Sequence, residues 1–324
     1  MKTKAVHFEK QGDPSVLKMI EADLPDPGEG EAQIRQSAIG INFMDVYQRG
    51  GQYDVALPFR PGLEGAGVVE KLGAGVDGLA VGDRVAYAGV PGGYAEARNI
   101  PAARLVKIPD GVSDEQAAAA IMKGMTVEYL MERAYPVKAG EWVLFYAAAG
   151  GVGLIAGQWG KLLGARMIGI AGGADKCQLA LDNGYEAALD RRTENIVERV
   201  KELTGGAGVA VAYDSIGKET YEQTLDCLAP RGFFMSFGTT SGPVPPVYAK
   251  ELQNRGSLYF SRPTLATYTA ARAGLEHSAS RVFDMIASGK VKIEIGQTYA
   301  LDDVVQAHLD LEAGKTKGSS LLIP

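Results

Sequence analysis

Cysteine and histidine are scarce in this 324-residue chain, with two of the first and three of the second. Cys177 and Cys227 form no C-x-x-C pair and fall short of the four Cys or His ligands of a structural zinc site, and they give no disulfide framework. His7, His277 and His308 lie far apart and read as surface or half-buried imidazoles, so no metal is expected. No run of ~18 apolar residues is available for a membrane span. Lys2 and Lys4 are not followed by an apolar stretch, because His7, Glu9 and Lys10 interrupt it, so no signal peptide is expected and the cytoplasm is the expected compartment. There are no internal repeats, low-complexity tracts or long like-charge runs. With 33 basic against 39 acidic side chains and a net charge of -6, any duplex-binding surface would have to be a local patch.

What is present is an ordinary globular balance, 46% hydrophobic and 22% charged. A chain of this length sits near the limit at which one core divides, so two lobes are expected. The first third reads as short strands at 4–8, 31–40, 66–72, 83–88 and 93–98, separated by glycine and proline clusters such as PDPGEG at 25–30. Ser113, followed by Glu115 and Gln116, starts an alanine-rich helix that runs to about Arg133. Strands at 142–147, 166–171, 186–189, 208–213 and 232–237 then alternate with helices at 152–163, 174–182, 194–203 and 218–228. That alternation is the pattern of a parallel sheet covered on both faces. After Arg262 come a long helix (about 266–288), a strand (291–299), a helix (302–313) and a last strand (318–323). These belong with the first lobe, since a terminal strand needs a sheet to join.

The most informative segment is FYAAAGGVGLIAGQWGKLLGA at 145–165, which follows a strand and opens a helix. Set against G-x-G-x-x-G it supplies Ala148, Gly150 and Gly153, with Gly151 adding backbone freedom. Gly150 and Gly151 have no Cβ to hold a pyrophosphate away, and a helix starting near Val152 directs its N–H groups and positive dipole end at the phosphates. Gly153 allows helix and strand to pack closely. The second strand ends Ile170-Ala171-Gly172-Gly173, with no carboxylate for a ribose 2′-OH. Lys176 follows on the next helix, and Arg191 and Arg192 lie just after the third strand, a spatial neighbour of that tip. NADPH is therefore favoured. The alternative is that Lys176 and Arg191 are solvated and that Asp175 bonds a ribose hydroxyl.

These residues look like a known family. The chain resembles the zinc-independent quinone oxidoreductases (NADPH:quinone reductase, zeta-crystallin-like) of the medium-chain dehydrogenase/reductase superfamily. The resemblance is carried by GINFMDVYQRGGQY at 40–53, PGLEGAGVV at 61–69, GDRVAY at 82–87, MKGMTVEYL at 122–130, AAAGGVG at 147–153, AYDSIG at 212–217, SFGTTSG at 236–242, SRPTL at 261–265 and KGSSLLIP at 317–324. It implies an α/β fold in which a Rossmann doubly wound parallel sheet, residues 125–263, is inserted in a β-rich GroES-like catalytic domain, residues 1–124 and 264–324. It also implies a cleft that holds NADPH, and a homodimer.

In zinc-dependent alcohol dehydrogenases of the superfamily a Cys stands near Asn42 or Phe43 and a His where Leu63 precedes Glu64; this chain has neither, nor the four-cysteine loop. An electron-poor hydride acceptor fits better than an alcohol. By resemblance, Asn42, Tyr47 and Tyr53 lie at the nicotinamide end, with Thr126 nearby. Gly150, Gly151, Val152 and Gly153 hold the pyrophosphate, Gly172, Lys176 and Arg191 the 2′-phosphate, and Ser215 the adenine region. Phe237, Gly238, Thr239 and Thr240, with Phe260, Ser261 and Arg262, flank the nicotinamide, and Gly318 is close to the cofactor. Family members often carry Tyr or His at the Arg191 position. Tyr47 and Tyr53 are assigned to the pocket and not to proton transfer, because a reduced quinone takes protons from water. Glu64 is read as a structural carboxylate.

The expected activity is NADPH-dependent reduction of quinones, by hydride or single-electron transfer without a metal. One alternative is reduction of the C=C bond of α,β-unsaturated aldehydes or ketones; the non-enzymatic one is binding of single-stranded or AU-rich nucleic acid, against which the acidic balance argues.

Overall fold

In the computed structural model, which describes residues 1–324, the chain opens with an antiparallel pair, β1 (Lys2–His7) and β2 (Lys18–Asp23). It continues through β3 (Glu31–Gly40), α1 (Phe43–Gly50), β4 (Glu64–Leu72), β5 (Arg84–Ala88), β6 (Ala97–Pro101), β7 (Val106–Lys107) and α2 (Asp114–Glu128). The alternation that follows is β8 (Trp142–Tyr146), α3 (Gly151–Leu162), β9 (Arg166–Ala171), α4 (Ala174–Asp182), β10 (Ala187–Asp190), α5 (Ile196–Leu203), β11 (Val209–Asp214), α6 (Tyr221–Cys227), β12 (Leu228–Ser236), α7 (Ala249–Asn254) and β13 (Tyr259–Ser261). The last elements are α8 (Leu265–Tyr268), α9 (Arg272–Ala287), β14 (Ile295–Ala300), α10 (Val304–Glu312) and β15 (Ser319–Ile323). Two units result: Met1–Met125 with Thr269–Pro324, and Thr126–Tyr268.

In the first unit a seven-stranded sheet runs β14-β15-β3-β4-β5-β7, with β6 also paired to β3. Because β3 pairs with β4, β6 and β15, it is buried or half-buried along its length, Gln33 and Gln36 included, and exposes only Arg35. The terminal strand does find its sheet: Leu321 and Leu322 of β15 lie opposite Gly40 and Ile39. Val6, Phe8, Ile39, Tyr94 and Leu322 form one core cluster here, and Ile34, Val85, Tyr87, Ile100 and Leu105 another.

The second unit is a six-stranded, wholly parallel sheet in the order β10-β9-β8-β11-β12-β13. Chain order reverses direction between β8 and β11, the switch point at whose carboxyl edge doubly wound sheets bind ligands. Its core gathers Leu144, Tyr146, Ile168, Ile170 and Phe234, all nearly fully buried. Each such side chain contributes about 1.5–3 kcal/mol of transfer free energy.

Several elements differ from the sequence expectation. The helix expected over about 266–288 is two helices, α8 and α9, interrupted at residues 269–271. The helix from Ser113 ends at Glu128 and continues as a π-helical stretch, Tyr129–Ala134. The strand expected at 93–98 lies at Ala97–Pro101 and that at 291–299 at Ile295–Ala300. Strands β2 and β13 and helix α7 have no counterpart in the expectation.

Candidate functional site

In the second unit, the residues expected around a dinucleotide fall at the carboxyl edge of the sheet. Leaving β8, the chain turns through Ala147, whose φ of 53° is left-handed and strained for a residue with a Cβ. Gly150 is the N-cap of α3 and contributes no side-chain cap, so the N–H groups of Gly151, Val152 and Gly153 sit at an uncapped helix start. A Cβ on Gly153 would stand 2.4 Å from the Ala147 carbonyl oxygen and 2.6 Å from that of Ala148. Glycine here is a requirement of helix-on-strand packing. A Cβ on Gly150 would meet only the Ala147 oxygen, at 3.3 Å.

At the β9 tip two guanidinium groups converge on Gly172 and Gly173. A Cβ on Gly172 would lie 3.3 Å from Arg191 Nε and 3.4 Å from Arg192 Nε, and one on Gly173 would lie 3.0 Å from Arg192 Nη1. Arg191 is exposed and Lys176 half-buried on the first turn of α4. Asp190 also reaches this tip, close enough for the charges of Arg192 and Arg191 to act on its carboxyl. It accepts from the backbone N–H of Gly173 (2.9 Å) and of Arg192 (3.0 Å), and those bonds hold its carboxyl below the usual range.

The turns after β11 and β12 interlock. Thr240 donates to the Ser215 carbonyl from Oγ1 (2.9 Å) and from its backbone N–H (3.2 Å), and Gly238 packs against Ser215 so tightly that a Cβ would sit 2.6 Å from that carbonyl. Asp214, buried, organises this turn by accepting from the Ile216 and Gly217 N–H groups and from the Thr220 and Thr224 hydroxyls. Burial raises its carboxyl, and those four donors oppose the rise. The Phe237 ring lies 5.5 Å from that of Phe145, and Thr239 is half-buried beside it in the chain. Phe260 packs edge-on to Phe234 at 5.2 Å; Ser261 is half-buried; Arg262 donates to the Ser236 carbonyl at 3.2 Å. Thr126, half-buried, also belongs to this unit.

In the first unit, Asn42 precedes α1 and is held twice. Its backbone N–H donates to Asp45 Oδ2 and its Nδ2 to Glu64 Oε1, both at 2.9 Å. Glu64 is fully buried, accepts from the Met122 N–H at 2.9 Å and is ion-paired with the buried Lys123. Tyr47 is buried on α1 and Tyr53 exposed just beyond it; their rings stack at 6.0 Å and 23°. Gly51 closes α1 in the left-handed region with its N–H on the Tyr47 carbonyl. Gly318 lies before β15, where a Cβ would stand 2.5 Å from the Glu294 carbonyl oxygen. The sequence reading passed over Lys123, Asp45 and Asp214. Asp45, third in the helix after Asn42, had a capping-box signature that pointed to it.

Residues 28–110 match the alcohol dehydrogenase GroES-like domain and residues 151–273 the zinc-binding dehydrogenase family. The quinone oxidoreductase of Salmonella typhimurium is 50% identical, with 98% of this chain and 99% of that protein covered. The 2-haloacrylate reductase of a Burkholderia species is 37% identical, with 99% and 98% covered. The crystal structure of Escherichia coli quinone oxidoreductase complexed with NADPH matches with a TM-score of 0.97 at 47% identity, over 99% of this chain and 100% of that one.

Zinc, named in one matching family, does not fit the donors of this chain. No three His, Cys, Asp or Glu side chains are grouped to hold a metal ion. Cys177 and Cys227 are buried in the second unit, His308 Nε2 is hydrogen-bonded to Tyr94, and Glu64 is committed to Lys123 and Asn42.

Proposed function

The chain belongs to the quinone oxidoreductases of the medium-chain dehydrogenase/reductase superfamily, and from that premise we propose that it reduces quinones at the expense of NADPH. The observation that carries the cofactor choice is the pair of arginines, Arg191 and Arg192, over the Gly172–Gly173 tip at the carboxyl edge of a doubly wound sheet, where the one nearby carboxylate, Asp190, is taken up by the Gly173 and Arg192 backbone N–H groups. Bound there, NADPH supplies a hydride equivalent to an electron-poor acceptor.

The protein's own part is to bind, orient and exclude water. Gly150, Gly151, Val152 and Gly153 hold the pyrophosphate at the start of α3. Lys176, Arg191 and Arg192 pair with the 2′-phosphate, and Ser215 meets the adenine region. Phe237 to Thr240 and Phe260 to Arg262 flank the nicotinamide, with Tyr47 and Gly318 completing the cofactor contacts. Asn42, Tyr47, Tyr53 and Thr126 shape the acceptor pocket. No side chain is assigned to proton transfer, since a reduced quinone draws its protons from water. In this reading residues 1–124 and 264–324 are the catalytic domain and 125–263 the NADPH-binding domain.

A homodimer accords with the edge strand β13, which carries the exposed Tyr259 close in sequence to the exposed Tyr248. An unpaired, aromatic sheet edge is a template for a second copy. A cytoplasmic location goes with two unpaired cysteines and with the NADPH pool.

Reduction of an activated C=C bond is the second reading, favoured by the likeness to a 2-haloacrylate reductase. Steady-state NADPH oxidation with 1,4-benzoquinone and with 1-octen-3-one, followed by product analysis, separates them. The proposal expects turnover with the quinone at a kcat/KM at least ~10-fold above that with the enone; the reverse order assigns the second reading.

A further inference from the structure

We propose that Tyr94 and His308 are positioning residues for Asn42, acting through Asp45 as a buried hydrogen-bond chain whose direction reverses on uptake of one proton. The proposal rests on the reading that Asn42 faces the acceptor.

Asp45, Tyr94 and His308 are all fully buried. Asp45 Oδ2 accepts from the Asn42 N–H (2.9 Å) and faces the Tyr94 hydroxyl (3.1 Å), while Oδ1 accepts from the Gly62 N–H (3.1 Å). The same hydroxyl lies 3.1 Å from His308 Nε2, and His308 Nδ1 has no partner. A phenol has one proton to give. If Tyr94 donates to an ionised Asp45, then His308 must carry its proton on Nε2 and donate it to the phenol oxygen. If a proton arrives at Nδ1, the Nε2 proton passes to Tyr94 and the phenol proton to Asp45. The chain then runs Asp45 to Tyr94 to His308, with one proton more than before and the imidazole still neutral, now protonated on Nδ1.

The surrounding charges direct that proton to Asp45. Burial first, and then Arg49 of α1, itself buried and ion-paired with Glu312 of α10, disfavours a positive charge on His308. Glu64 of β4, beside Lys123 of α2, disfavours a second negative charge at Asp45, and Tyr87 of β5 stays neutral because burial raises its phenol. Burial lifts the Asp45 carboxyl to about 7, so the reversal falls in the working range of pH. Ionised, Asp45 gives the Asn42 N–H a charge-assisted bond; protonated, it gives an ordinary one, roughly half as strong. Asn42 is thus held harder above neutrality than below it.

The experiment combines kinetics with NMR on the full chain. With 1,4-benzoquinone and saturating NADPH, KM for the quinone should rise as pH falls through neutrality, while kcat and KM for NADPH stay within about twofold. Tyr94→Phe removes a charge-assisted donor to the carboxylate and should move that transition up by about one to two pH units. His308→Leu leaves that donor in place but removes the acceptor Tyr94 needs when Asp45 is protonated, and should move the transition down instead. His308→Gln, which offers both an N–H and a carbonyl, should keep the transition of the unaltered protein. With only three histidines, the imidazole ¹⁵N resonances of the unaltered protein report the tautomer of His308 directly: Nε2–H at pH 8.5 and Nδ1–H at pH 5.5. An unchanged tautomer across that range overturns the chain even if the variants fail to fold. Tautomer exchange with a pH-independent quinone KM overturns its link to Asn42, and absence of any quinone turnover, with exchange still seen, is the failure of the functional reading instead.

Discussion

Replacing Lys123 by Met tests the buried centre of the first unit. Lys123 is 5% exposed and Glu64 0%, and the carboxylate's other donors are the Met122 N–H and Asn42 Nδ2, each at 2.9 Å. Met fills nearly the same volume, so the loss is electrostatic: an uncompensated buried charge, costing about 3–5 kcal/mol. For a unit of this size each kcal/mol lowers Tm by about 2–4 °C, so calorimetry should show a fall of about 6–20 °C. The double variant Lys123→Met with Glu64→Gln removes both charges and should recover most of that loss, because a buried pair replaced by neutral groups is often close to neutral in stability. The four proteins form a cycle whose coupling energy is expected at about 2 kcal/mol or more. A Lys123→Met protein that loses under about 1 kcal/mol, or a double variant no better than the single, would refute the claim that the pair is one buried electrostatic unit.

Two further outcomes follow from the geometry. Burial raises the Asp45 carboxyl from 3.8 to about 7, so its contribution to stability is present below 3.8 and is lost as pH rises towards 7; burial, then Arg49, lowers His308 from 6.5 to about 3, so its contribution is present above 6.5 and is lost as pH falls. The two oppose one another between pH 4 and 6.5, and in urea unfolding His308→Gln should gain stability relative to the parent on acidification across that window, while Asp45→Asn should lose it. Gly153→Ala would force a methyl to within 2.4 Å of a carbonyl oxygen; it should cost about 1–3 kcal/mol and weaken NADPH binding in calorimetric titration, whereas Gly150→Ala should change stability little.

Much of the second unit was legible in the sequence because its strands are buried on both faces and so appear as unbroken apolar runs. Strand β9 and helix α4 have the boundaries that periodicity gave them, 166–171 and 174–182. What escaped notice is decided by tertiary partners. Strand β2 buries only Ala22 and exists because β1 lies opposite it. Strand β13 has three residues and takes its register from β12. The long helix breaks at residues 269–271 with no glycine or proline there; instead the Thr269 carbonyl accepts from Arg104 Nη1, and the Tyr268 ring stacks on Tyr129 at 4.7 Å. The site divides in the same way. The glycine turn announces itself by spacing, whereas the buried Lys123 reads as one more surface cation until Glu64, 59 positions away, is placed against it. Arg192 was visible beside Arg191, but only folding brings it to 3.0 Å from the Gly173 Cβ position.

The central claim, an NADPH-dependent quinone reductase whose cofactor choice is made at the β9 tip, is tested most directly by kcat/KM for NADPH and NADH with 1,4-benzoquinone in the parent and in Arg191→Ala/Arg192→Ala. The account predicts a preference for NADPH in the parent and, in the variant, a rise of about 100-fold or more in KM for NADPH with little change for NADH, as expected for the loss of two charge-assisted bonds of about 1.5–3 kcal/mol each. Equal losses with both cofactors, or no quinone-dependent oxidation of either, would contradict it.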